Sequence, residues 1–145
     1  MKKTAIAVCV LAGSLLVATP AQAAGSVHLT KIYYNSPGPD TRSNASLNAE
    51  YVVIKNSTSK AVSLKGWTLS DASSHRYTFG TFTLKAGASV TVHTGKGTNT
   101  AAHVYQQRAA YVWNNDKDKA TLKTAAGKTQ DTCSYNSPSK SWTAC

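Results

Sequence analysis

Apolar and polar residues alternate with a period of two through most of this chain, in short runs separated by turn-forming clusters. SVHLTKIYY (Ser26 to Tyr34) reads as a first strand. Its apolar parity switches between Leu29 and Ile32, which predicts a bulge or bend there. EYVVIKN (Glu50 to Asn56) is apolar on both faces and predicts a central strand. VSLKGWTLSD (Val62 to Asp71) predicts a third strand broken at Gly66, with Trp67 and Leu69 on one face and Trp67 as a core anchor. YTF (Tyr77 to Phe79) and FTL (Phe82 to Leu84) flank Gly80, and SVTVHT (Ser89 to Thr94) turns Val90 and Val92 inward. YVW, KATLK (Lys119 to Lys123) and KTQDTCSY (Lys128 to Tyr135) follow, with NNDKD and TAAG as the turns between them. Two polar stretches, 35–48 and 95–110, read as long surface loops. No apolar stripe with a 3.6-residue period is present, so about eight short strands in an all-β, antiparallel β-sandwich are expected.

The first segment stands apart from this pattern. MKKTAIAVCVLAGSLLVATPAQA has two lysines, an apolar run and a small-x-small end at Ala21-Gln22-Ala23. That is the layout of a secretory signal peptide over 1–23, and the apolar run is short for a permanent membrane span. Cleavage after Ala23 and an extracellular location are expected. The sandwich domain is then expected over 24–136, with 137–145 as a C-terminal tail.

Charge and cysteine content sharpen this picture. The full chain carries +10, and loss of Lys2 and Lys3 with the signal leaves +8, from 14 basic residues against six acidic. So basic a secreted domain is drawn to polyanions such as nucleic acid or anionic wall polymers, although net charge also serves solubility alone. Cys133 and Cys145 remain after processing. An even count in an oxidising compartment predicts one disulfide that pins the tail; two free thiols or pairing between molecules are the alternatives.

Candidate chemistry is sparse. Asn114, Asp116 and Asp118 have the spacing that opens a calcium loop, but Lys119 stands where such a loop needs glycine. A turn in which Asn and Asp bond their own backbone is the expected structure, and no metal or cofactor is assigned. His28, His75, His93 and His103 are not at metal-ligand spacing and are expected at the surface or at strand edges. Glu50 and five aspartates offer few pairs for acid–base work, there is no nucleophile elbow, and no catalytic residue is assigned. Lys117, Lys119 and Lys123 are the densest basic group and the candidate polyanion contacts. Lys119, Thr121 and Lys123 share one strand face, opposite Ala120 and Leu122. A solvated outer strand face with a core Trp is the expected arrangement; an aromatic platform from Tyr111 or Trp113 beside the lysines is the alternative.

Several segments, in order and spacing, resemble the lamin tail domain family in its secreted bacterial form. They are EYVVIKN, LKGWTLSD, GASVTVHTGKGTNT and VWNND. The resemblance covers Ser26 to Tyr135 and implies an immunoglobulin-like β-sandwich that serves as an interaction module, with no catalytic residue to carry over. In nuclear lamins the domain is linked to protein partners and to nucleic acid. The sequence departs from the family pattern at Val53, where relatives carry an acid, and at Lys117, where they carry glycine. The expected function is therefore a secreted, non-catalytic binding module whose partner is a protein or cell-envelope component. The alternatives are polyanion binding through a basic hairpin, and a small secreted hydrolase or nuclease.

Overall fold

The computed structural model describes residues 25–145. The expected signal peptide and its cleavage site lie outside these residues. The elements run β1 (Val27–Tyr33), α1 (Asn44–Asn48), β2 (Tyr51–Asn56), β3 (Val62–Ser63), β4 (Thr68–Ser70), β5 (Arg76–Thr78), β6 (Thr83–Leu84), β7 (Ser89–His93), β8 (His103–Tyr105), β9 (Lys117–Lys123), β10 (Thr129–Asn136) and β11 (Trp142–Ala144). A larger sheet has the order β11-β1-β2-β7-β8, a smaller one β10-β9-β4-β5, and β3 pairs with β6 in a two-stranded ribbon. The two main sheets bury their alternating aliphatic residues against each other, among them Leu29, Val52, Ile54 and Val92 from the larger and Leu69 and Leu122 from the smaller.

The chain is the expected all-β, immunoglobulin-like sandwich, with more strands than the eight anticipated. Three elements depart from the sequence reading. The stretch 35–48 holds a helical turn, α1, capped by Ser43, whose side chain accepts from the Ser46 N–H; it buries Leu47. The stretch 95–110 contains β8, which pairs with β7 in parallel and so departs from the all-antiparallel expectation. The segment 137–145 contributes β11, which pairs with the edge of β1.

Local chemistry explains the boundaries that the pattern did predict. The strand expected over Val62 to Asp71 is divided at Gly66, which has φ +78 in a turn closed by the Trp67 N–H donating to the Leu64 carbonyl. Trp67 packs half-buried against the core, whereas Trp113 is the fully buried indole. The expected bulge in β1 is present between Leu29 and Lys31, and β10 has its own irregularity between Thr129 and Asp131. These two strands meet at one edge of the sandwich. There Asp131 accepts the Leu29 N–H at 2.8 Å and Gln130 donates to the Val27 carbonyl at 3.1 Å. The same edge is closed covalently, since Cys133 in β10 is bonded to Cys145 just past β11. The bridge therefore joins the two sheets.

Candidate functional site

The outer face of the smaller sheet gathers the predicted lysines. β9 alternates Lys117, Lys119, Thr121 and Lys123 outward with Asp118, Ala120 and Leu122 inward and buried. Register then fixes what stands beside them. Lys123 lies between Thr68 of β4 and Thr129 of β10, and Thr121 lies between Ser70 and Thr132. Lys119 pairs with Ser134, Lys117 with Asn136, and Arg76 of β5 extends the row through Ser70. The face is thus four cations set among hydroxyl and amide side chains. Lys117 to Lys119 is about 7 Å along the strand, and Arg76 lies about 10 Å from Thr121 across two strand spacings and so about 12 Å from Lys119 and Lys123.

This face differs from the expected one at its base. Residues 111–113 form no strand, so NNDKD is not a hairpin turn between YVW and KATLK. Lys117 is the first residue of β9 rather than a turn residue, and the basic hairpin is β9–β10, closed by Thr124 to Gly127. The reason lies in Glu50. Its Oε1 accepts from the Val112 N–H at 2.8 Å, the Trp113 N–H at 3.2 Å and the Thr94 hydroxyl at 2.6 Å. Those backbone amides are drawn into the core instead of into a ladder. Glu50 is fully buried and its Oε2 has no protein partner. Burial raises its pKa to about 7, against the opposing pull of the three donors.

Asp118 anchors the start of β9. Its carboxylate accepts from the Lys119 N–H at 2.8 Å, the Ala72 N–H at 3.0 Å and the Asn114 N–H at 3.2 Å. Asp116 accepts the Lys117 N–H at 2.7 Å. Both aspartates therefore shape the backbone that presents the lysines. A recess of about 600 Å³ opens beside them, lined in part by Lys117, Lys119, Tyr135 and Asn136. Burial, and secondarily the surrounding carboxylates, push the Tyr135 hydroxyl far above the usual tyrosine range, and it donates to the Asn114 carbonyl at 2.6 Å. The aromatic platform, the alternative to a core Trp beside the lysines, is not formed. Trp113 is in the core, and the Tyr111 hydroxyl is bonded to Ser46 Oγ at 2.6 Å, near α1.

The acidic residues are all engaged elsewhere. Glu50, Asp71 and Asp118 are buried, Asp131 serves the β1 bulge, Asp116 caps β9 and Asp40 accepts from Asn115. Among the described residues the one ion pair is His75–Asp71, at 2.6 Å, and no Lys or Arg lies within pairing distance of a carboxylate. The cationic side chains are free of ion pairs, although Asp116 and Asp118 line the same recess as Lys117 and Lys119. Sequence reasoning found Lys117, Lys119 and Lys123 because all three lie on one strand; it missed Arg76, whose place beside them depends on strand order. It also missed the contact between His93 and His103, whose ring nitrogens are 2.9 Å apart.

The profile of the Lamin Tail Domain matches residues 20–137. No curated protein matches the chain. The chain belongs to the lamin tail domain family, an immunoglobulin-like family of interaction modules.

Proposed function

We propose that the protein is a secreted, non-catalytic binding module that holds an anionic polymer of the cell envelope against the outer face of its smaller sheet. One observation carries this reading: the basic side chains have no carboxylate partners, and four of them stand together on a flat, hydroxyl-lined face. Ammonium and guanidinium groups supply the attraction, and Thr and Ser hydroxyls supply short-range donors to phosphate or carboxylate oxygens. No Lys or Arg need be pulled from an internal ion pair before it meets a ligand. A hydrolytic alternative would use Asp116 and Asp118, and both carboxylates already accept backbone amides.

The test is binding of a labelled polyglycerol phosphate, with duplex DNA in parallel, followed by fluorescence anisotropy as salt is raised. Four engaged cations predict a fall of roughly a hundredfold in affinity between about 50 and 200 mM salt, by counterion release. Lys119→Gln with Lys123→Gln should remove about half of that slope. Binding that ignores salt, or no binding to either polymer at low salt, would sink the reading.

A further inference from the structure

The outer face of the larger sheet carries a second, different chemistry. One cross-strand row passes through all five strands and takes one ring from each. Trp142 pairs with Tyr33, Tyr33 with Tyr51, Tyr51 with His93, and His93 with Tyr105. Ring centroids lie 5.4 Å apart for Tyr33–Tyr51, 5.9 Å for Tyr51–His93 and 4.8 Å for His93–Tyr105. Four strand spacings make the row about 19 Å long. Trp142 is 48% exposed, the one large apolar side chain so exposed among the described residues, and the other rings are half-buried.

Aromatic pairs across strands stabilise a sheet, but that role leaves three features unexplained. First, the hydroxyls of Tyr34, Tyr111 and Tyr135 are bonded within the protein, whereas those of the row, Tyr33, Tyr51 and Tyr105, have no partner among the described residues, a state shared outside the row by Tyr77 of the smaller sheet. Second, the Lys31 ammonium sits 4.6 Å from the Trp142 ring, 5.5 Å from Tyr33 and 5.9 Å from Tyr51. Its cross-strand neighbour is Val53, and none of the five strands contains an acidic residue. Third, a recess of about 590 Å³ opens between Tyr33, Lys140 and Trp142 at one end of the row.

We propose that this row is a binding track for a linear glycan, laid across the strands with its sugars along the rings. The apolar faces of pyranose rings rest on aromatic carbon, and their hydroxyls find the unpartnered tyrosine tips and the Lys31 ammonium. Sparse carboxylates on such a glycan would meet Lys31 without an opposing charge on the face. Burial, with help from His103, keeps the His93 pKa below its ordinary value, against the pull of the Asn48 carbonyl. The middle of the track is therefore uncharged at neutral pH.

Other occupants fit less well. Bases stack on single exposed rings as sugars do, so ring contact alone does not separate the two ligands, and charge has to. A nucleic-acid strand would bring one charge per nucleotide to a row about 19 Å long that has only Lys31 over its rings, with Lys55 and Lys140 to its sides. A row one ring wide offers on the order of 200 Å², far below the about 800 Å² that each partner buries in a stable protein interface.

The experiment is titration of the full secreted chain with the hexasaccharides of N-acetylglucosamine and of glucose, followed by nuclear magnetic resonance, with oligo-dT and a sedimentation run as controls. Binding should be insensitive to salt, with shifts confined to the row and the Trp142 recess. Tyr51→Ala should weaken it at least about tenfold, as expected for a central aromatic anchor. Tyr51→Phe keeps the ring and should cost only a few-fold. If Tyr51→Ala does not fold, Trp142→Ala on the edge strand gives the same readout. The proposal is overturned if neither oligosaccharide binds, if both alanine variants bind as the parent does, if oligo-dT displaces the sugar, or if Tyr51→Ala turns a dimer into a monomer. Lys119→Gln with Lys123→Gln should leave glycan binding unchanged, so this proposal and the one for the smaller sheet fail separately.

Discussion

On the smaller sheet the outward positions are Lys, Arg, Thr, Ser and Asn; on the larger sheet a row of Tyr, His and Trp stands among Lys31, Lys55, Val53, Ser89 and Thr91. The inward positions are mostly apolar on both sheets, aliphatic on the larger and joined by Cys133, Tyr135 and Asp118 on the smaller. The fold therefore makes the same demand of each sheet, one apolar face, and leaves the other face free for chemistry. One face would read charge through counterion release and the other would read shape through ring contact. Salt separates the two directly, since it weakens the first and spares the second.

The largest expected effect breaks one side of this comparison and spares the other. The Cys133–Cys145 bridge closes a loop with a sequence separation of 12 and ties β10 of the smaller sheet to the end of β11 in the larger. Removing it by Cys133→Ser with Cys145→Ser should cost about 3 kcal/mol of stability on chain-entropy grounds, measured by urea unfolding. Its functional cost should be lopsided. β11 is a three-residue edge strand that carries Trp142, and it detaches first once untethered. Glycan affinity should then fall severalfold while the salt slope of polyanion binding stays as in the parent. Equal losses on both faces would show that β11 holds without the bridge.

The same contrast explains what the sequence revealed. The lysine face was legible because Lys117, Lys119 and Lys123 lie on one strand, where a period of two assigns them a common side. The aromatic row was not, because its rings come from five segments and align only through register, including the parallel pairing of β7 with β8. β8 itself offers a single inward residue, Val104, too little for a periodic signal. α1 is five residues long and β11 three, so neither can display its period. The role of Glu50 was hidden in another way. Nothing in its sequence neighbours marks it as buried, and only its three donors show that it organises 112–113.

Glu50 also yields the next largest effect, since it joins β2 of the larger sheet to the segment that leads into β9. Its pKa is raised from 4.5 to about 7 in the folded protein. The folded state therefore holds a proton that the unfolded state has released between these values, and stability falls as pH rises through that window. The loss amounts to at most about 3 kcal/mol and is complete above the folded value. Urea midpoints of the parent should decline from pH 4.5 to pH 7, with both binding faces affected alike. Glu50→Gln keeps an acceptor for Val112, Trp113 and Thr94 and should flatten that decline. A variant that retains the parent's slope would place the titration on another group.

The smallest effect bears on the larger sheet alone. Val53 is half-buried, faces outward beside Tyr51, and stands across from Lys31. Val53→Glu places an acid opposite that cation. An opposite-charge pair across strands contributes about 0.2–1 kcal/mol, and the loss of a β-branched residue offsets a similar amount, so stability should hardly move. The ammonium, however, should leave Trp142 and Tyr33 for the new carboxylate. Glycan affinity should fall a few-fold, with no change in polyanion binding. A double-mutant cycle with Lys31→Met locates the cause. If Val53→Glu weakens the glycan only while Lys31 is present, the carboxylate acts by capturing that cation, and the valine at 53 is what keeps Lys31 on the rings. If the loss persists without Lys31, the glutamate side chain obstructs the track directly, and the cation is not the cause.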